Sequence, residues 1–238
     1  MRLDIYLTQN YDIQSRNKAH ELIKAKKIKI NGAIITKPSF KIEDTNINLE
    51  ILTDDFYVSR SAYKLKYFLD EFKTIKLENK MALDIGSSTG GFTQILLEKD
   101  VKSVTCVDVG SNQLHDKIKD DKRIIMCENT DIRHFKSETK YEVITCDVSF
   151  ISIHNILQEI NILAQKEIII LFKPQFEVGV DIKRNRAGVV QDDEAILKAT
   201  QTFVEETEKL KWKLIHRQVS QVKGKEGNVE ELFYFTIL

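Results

Sequence analysis

The chain has 238 residues, 42% hydrophobic and 30% charged, with only 9 Gly and 2 Pro, which excludes a fibrous or low-complexity protein and leaves room for one large domain plus a small one. Its longest unbroken apolar run is 168–172, far short of the roughly 18 residues of a membrane span, and Arg2 and Asp4 stand where a signal core would begin. Basic and acidic residues number 36 each, so bulk charge argues against a nucleic-acid binder; yet 14–41 holds eight basic residues against one acid, and 42–55 holds five acids and no base.

Ser15 is placed to cap a helix in which Ala19, Leu22 and Ile23 share one face, while Arg16, Lys18, Lys24 and Lys27 lie off that stripe. Ile28 and Ile30 then alternate with lysines, Asn31-Gly32 is the preferred pair for a tight hairpin turn, and Ile34-Ile35 resume the apolar pattern before Pro38. With a further short strand at Ile47, Leu49 and Ile51, residues 1–52 form a small α+β domain, and 53–58 reads as a compact linker.

From 59 to 238 the rhythm changes to alternating helix and strand, the pattern of a doubly wound, mostly parallel α/β sheet. A helix over 59–72 leads in. Strands are predicted at 81–85, 103–107, 123–126, 142–146 and 167–172, with helices at 92–98, 113–118 and 153–163 between them. A long helix at 192–210 precedes strands at 213–219 and 230–238, whose short connection makes them an antiparallel hairpin at one sheet edge. Cys106, Cys127 and Cys146 are odd in number with no C-x-x-C pair, so they read as buried apolar residues of a reducing cytoplasm, not as a disulfide framework or zinc site.

The chemistry clusters at strand ends. Asp84, Gly86, Ser87, Ser88, Thr89, Gly90, Gly91 and Phe92 form a strand, a Gly/Ser-rich turn and a helix start, where backbone approaches a ligand closely and free N–H groups face it. The turn is neither a phosphate-binding G-x-x-x-x-G-K nor a G-x-G-x-x-G; an acid before it suits a nucleoside bearing an amino acid, whose ammonium Asp84 would hold. Asp108 ends the second strand, near the spacing at which an acid bonds ribose hydroxyls. Asp131 follows the third strand and would face an adenine, Asp147 ends the fourth and Lys173 the fifth. Ligands of such sheets bind beyond these carboxyl ends, so five polar residues converge on one crevice. A lysine shielded from water at the end of an apolar strand is suited to accept a proton.

Residues 1 to about 50, from Arg2-Leu3-Asp4 through Ser15-Arg16, Ile30-Asn31-Gly32 and Lys37-Pro38-Ser39, resemble an S4 RNA-binding domain. The remainder resembles the FtsJ-like Rossmann methyltransferases, and the motifs around Val58–Leu65, Ala82–Thr93, Val107-Asp108-Val109-Gly110, Asp147–Ser152 and Phe172–Glu177 are together similar to the TlyA family. That resemblance implies S-adenosylmethionine as cofactor, with Val109 beside Asp108 in its site, and methylation of the 2′-hydroxyl of a cytidine in ribosomal RNA. It implies a Lys-Asp-Lys-Glu tetrad of Lys64, Asp147, Lys173 and Glu230: Lys173 as base, Asp147 its partner, Lys64 and Glu230 orienting the target ribose. Glu231 is adjacent, but neighbours on a strand face opposite sides, so only one reaches the site. The chain resembles the family's shorter type, which implies the 23S RNA of the large subunit as target.

RNA contacts are expected from Arg16, Lys18, Lys24 and Lys27, from Arg60, and from a second basic cluster, Lys183, Arg184 and Arg186. The five histidines show no metal-ligand spacing, and no metal is expected. A cytoplasmic monomer acting on ribosomal RNA or a subunit, without a membrane, is the expectation. The alternatives are a non-catalytic RNA-binding assembly factor, against which the tetrad speaks, and a membrane-active haemolysin, which the absence of a long apolar segment disfavours.

Overall fold

The fold comes from a computed structural model that describes every residue except 12, 14, 44–46, 53–56, 225 and 238. The chain divides into two units, Met1–Arg60 and Ser61–Leu238. Most of the expected linker, 53–56, lies outside the described residues.

In the first unit two helices, α1 (Leu3–Asn10) and α2 (Arg16–Lys24), precede strands β1 (Ile28–Ile30), β2 (Ala33–Ile34) and β3 (Leu49–Ile51). The Ser15 side chain accepts the Lys18 N–H at 3.2 Å and so caps α2. Asn31 and Gly32 both take positive φ, 49° and 82°, the backbone a two-residue hairpin between β1 and β2 demands. The sheet order is β2-β1-β3, and Leu3, Leu7, Ala19, Ile23, Ile28 and Ile30 share its core with Ile13 and Ile42. Helix α1 carries no amphipathic stripe and was not foreseen. Its Asp4 is fully buried and accepts from Arg2, Arg16 and His20, an arrangement that ties the helix down through charge. Those donors, Arg2 first, hold the Asp4 carboxyl well below the usual carboxylate range despite its burial.

The second unit opens in α3 (Arg60–Glu71) and builds a seven-stranded sheet from β4 (Met81–Ile85), β5 (Ser103–Val107), β6 (Ile124–Cys127), β7 (Tyr141–Cys146), β8 (Ala164–Phe172), β9 (Trp212–Val219) and β10 (Glu231–Ile237). Its order is β6-β5-β4-β7-β8-β10-β9. Strands β4 to β8 run parallel, and β10 is antiparallel to both β8 and β9. The last strand thus enters between β8 and β9, and the predicted edge hairpin is present with its first strand outermost. Helices α4 (Gly91–Glu98), α5 (Leu157–Leu163), α6 (Pro174–Glu177) and α7 (Asp193–Lys209) complete the unit. Asp192 caps α7 through the Ala195 N–H at 2.8 Å. Ile168, Ile170, Phe172, Phe233 and Phe235, from β8 and β10, are buried with Phe203 of α7 in one core.

One expected helix is absent. Residues 113–118 make only turns, in which Ile118 and Lys119 N–H groups return to the His115 carbonyl. Here Leu114 and Ile118 pack against Gly90.

Candidate active site

The parallel strands end in step. The Gly86 N–H bonds to the Val107 carbonyl at 2.9 Å, the Asp108 N–H to the Cys127 carbonyl at 3.2 Å, and the Asp147 N–H to the Ile85 carbonyl at 2.9 Å. This stagger brings the residues just past β4, β5 and β7 to one rim, where a cavity of about 470 Å³ opens, within the range of small-molecule sites. Gly86, Ser88, Asp108, Val109, Asp131 and Asp147 line it. At Gly86, with φ +76°, a Cβ would sit 2.9 Å from the Asp147 carbonyl oxygen, so the turn needs glycine to pass this close. Asp108 grips the turn as well, accepting the Ser88 N–H at 2.8 Å and the Gly110 N–H at 2.7 Å. The buried Ser87 Oγ has no hydrogen-bond partner. An unsatisfied hydroxyl beneath a turn that approaches a cavity fits a bound polar ligand.

The same unit holds two buried ion pairs, one of which borders this cavity through Asp147. Lys173 is 7% exposed; its Nζ lies 2.6 Å from Asp147 Oδ1, off the hydrogen-bond direction, and donates to Ser149 Oγ at 2.8 Å. Lys64, on α3, donates to Glu230 Oε2 at 2.5 Å, and Gln175 donates to Glu230 Oε1 at 3.1 Å. Glu230 is 3% exposed, whereas Glu231 turns away to Arg217 at 2.9 Å. A Cβ on Gly224 would collide with Glu230 Oε1, 2.5 Å away. Four charged groups out of water pair off one to one, so that neither pair leaves an uncompensated ion.

The family model of FtsJ-like methyltransferases matches residues 57–236, and that of the S4 domain matches residues 1–46. The 23S rRNA (cytidine-2′-O)-methyltransferase TlyA of Campylobacter jejuni is 50% identical to this chain over 99% of each protein. The chain belongs to the TlyA family of FtsJ-like methyltransferases. Hemolysin A of Brachyspira hyodysenteriae is 37% identical over the full length of both. A solved structure from Streptococcus thermophilus that carries a provisional hemolysin name superposes with a TM-score of 0.75 at 30% identity, covering all of this chain and 88% of that one. No helix among the described residues is long and apolar enough to cross a membrane, and they contain no cluster of metal-ligating side chains.

Within this TlyA-family chain the expected cofactor residues split into two groups. Asp84 does not line the cavity. It is fully buried in β4 and accepts from Thr93 at 2.6 Å and from Thr145, its neighbour on β7, at 2.8 Å. Burial pushes its carboxyl up to about 6. Direct contact with a ligand's ammonium is therefore corrected: both oxygens are occupied beneath the turn. Phe92 is likewise corrected, because α4 points it into the core at 2% exposure. Thr89, Gly90 and Gly91 form the turn and helix start behind the cavity wall.

Some residues of this site carried no signal along the sequence. Arg133 lines the cavity and grips Asp131 through Nε at 3.0 Å and Nη2 at 2.5 Å; the guanidinium holds that carboxyl down at about 2. Ser149 and Ile151, inside the 147–152 motif, and Gln113 also line the cavity.

The basic residues also sort by geometry. Lys24 and Lys27 are exposed on and just after α2. Arg16 is half exposed but braced by Asp4 at 2.7 Å, and Lys18 pairs with Glu21 at 3.0 Å. Arg60 opens α3, partly buried. Lys183 and Arg186 are exposed. Arg184 is corrected as an RNA contact: its guanidinium donates to the carbonyls of Gln175, Gly179, Val180 and Ile182 and so shapes its own loop.

Proposed function

We propose that this protein methylates the 2′-hydroxyl of a cytidine in ribosomal RNA, with the 23S RNA of the large subunit as target. The methyl donor is S-adenosylmethionine, which supplies a methyl group on a positively charged sulfonium. The observation that carries the reading is Lys173, buried beside the cavity and held by Asp147 and Ser149. In its neutral amine form Lys173 takes the proton of the ribose hydroxyl as the oxygen becomes nucleophilic, Asp147 stabilises the ammonium so formed, and that ammonium releases its proton to solvent before the next turnover. Lys64, kept neutral as a pair by Glu230, orients the target ribose. Asp108 would hold ribose hydroxyls of the donor and Asp131 its adenine, with Gly86, Ser88 and Val109 shaping the wall. Asp84 supports the turn from below through Thr93 and Thr145.

The division of labour proposed is an S4 RNA-binding domain at 1–52, a linker at 53–58 and the methyltransferase domain at 59–238. RNA is held by Arg16, Lys18, Lys24, Lys27, Arg60, Lys183 and Arg186. The protein works as a cytoplasmic monomer. The test is transfer of labelled methyl from S-adenosylmethionine to separated ribosomal subunits and their RNAs, with Lys173→Ala as control and mapping of the labelled nucleotide. Label in large-subunit RNA that vanishes in the variant is the expected result. No label on any subunit, with cofactor bound, would favour the non-catalytic assembly factor, and label confined to the small subunit would overturn the target.

A further inference from the structure

Directly after Lys173 the chain makes one helical turn, α6, whose two polar side chains reach in different directions. Gln175 donates to Glu230 Oε1, on the oxygen that Lys64 leaves free. Glu177 is almost wholly buried, 3% exposed in its side chain, and receives the Ser152 hydroxyl at 2.6 Å and the Ile153 N–H at 2.9 Å. Residues 147–153 are the segment that carries the ion-pair partner of Lys173, Asp147, its acceptor, Ser149, and part of the cavity wall. Within it Phe150 adopts φ +65°, a conformation that costs a bulky residue on the order of 1–3 kcal/mol and persists only where neighbours impose it. Phe150 is itself 93% exposed; around it α6 supplies Glu177, bonded to residues 152 and 153, and Phe176, with its ring 5.6 Å from that of Phe150.

We propose that Gln175 and Glu177 are positioning residues for methyl transfer, and that α6 is the brace that fixes the Lys173–Asp147 and Lys64–Glu230 pairs relative to each other. Lys173 sits at the start of the brace; Gln175 holds the carboxylate of one pair, and Glu177 holds the segment that bears the carboxylate of the other. The inference rests on the methyl-transfer reading above. A carboxylate at 177 serves the segment through its two acceptor oxygens, and its Oε2 also lies 4.0 Å from His154 Nε2. A glutamine can replace it, accepting from the Ile153 N–H and donating to a rotated Ser152 hydroxyl.

The experiment compares Glu177→Ala, Glu177→Gln and Gln175→Leu in the full chain, measuring kcat on large subunits, the dissociation constant of S-adenosylmethionine by calorimetry, and hydrogen exchange of residues 148–153. Glu177→Ala is expected to lower kcat about 10²-fold, to weaken cofactor binding roughly tenfold because the freed segment lines the cavity, and to speed exchange at Ile153. Glu177→Gln restores all three. Gln175→Leu lowers kcat with cofactor affinity unchanged, since the Glu230 pair does not line the cavity. Three results would each overturn the proposal: kcat and affinity within about twofold of the parent (well under 1.4 kcal/mol) in Glu177→Ala, Glu177→Gln as impaired as Glu177→Ala, or full activity in Gln175→Leu. If Glu177→Ala does not fold, the other two variants still decide. If the parent protein methylates no subunit, the methyl-transfer reading fails, and cofactor affinity and exchange at Ile153 decide the Glu177 half of the brace independently.

Discussion

Lys24 and Lys27 of the N-terminal unit stand in solvent, whereas Lys64 and Lys173 of the C-terminal unit are each 7% exposed, with a carboxylate oxygen within 2.6 Å. The same residue type therefore works under two electrostatic regimes. On the surface each lysine contributes a share of a field that salt screens, so that no single one is indispensable. In the crevice a lysine is out of water and is paired with one carboxylate among the described residues, so removing either member leaves a stranded ion. Asp4 shows the second regime inside the first unit: a fully buried acid that braces Arg16, itself half exposed toward solvent.

The sharpest way to break this contrast is at Lys173. Lys173→Ala is expected to cost on the order of 10²–10⁴ in methyl-transfer rate, while the dissociation constant of S-adenosylmethionine, read by calorimetry, stays nearly unchanged; full activity would sink the assignment. Glu230→Ala strands Lys64 and is expected to destabilise the second unit by about 3–5 kcal/mol, seen as a lower urea midpoint. Glu231→Ala, whose partner Arg217 is half exposed, should cost less than about 1 kcal/mol.

Asp84 supplies a pH test of burial. Its folded-state carboxyl titrates at about 6, against about 3.9 for an unfolded aspartate. The folded state therefore binds more protons between those values, and stability falls as pH rises from about 4 to 6, by roughly 3 kcal/mol. Asp84→Asn cannot titrate. Relative to the parent it should gain about that amount between pH 4 and pH 7 in urea melts, and parallel profiles would refute the assignment. The smallest effect belongs to the surface. Lys24→Glu with Lys27→Glu should change stability by less than about 0.5 kcal/mol, yet flatten the slope of log affinity for RNA against log salt by about 1.5. An unchanged slope would remove this face from the docking surface.

Strands β4, β5, β7 and β8 were legible because parallel strands buried on both faces read as continuous apolar runs. The alternation of side chains near a strand shows that only one of Glu230 and Glu231 reaches the crevice, and the resemblance, not the alternation, singled out Glu230. The entry of β10 between β8 and β9 was not legible, since pairing order is a long-range property that a hairpin pattern leaves open. Asp84 misled because a sequence shows that an acid precedes a turn but not which way its carboxylate points; Thr93 and Thr145 lie 9 and 61 residues away. Arg133, Gln175 and Glu177 went unassigned for the same reason. Their roles exist only where loops from separate strands meet.

The placement of β10 has a consequence for biosynthesis. Lys64 and Glu230 are 166 residues apart, so at synthesis rates of roughly 5–20 residues per second the lysine exists for about 8 to 33 s before its acid is made. The strand that follows Glu230 then pairs with β8 on one side and with β9 on the other. On a nascent chain the residues that line the cavity are therefore made before the Lys64–Glu230 pair can form.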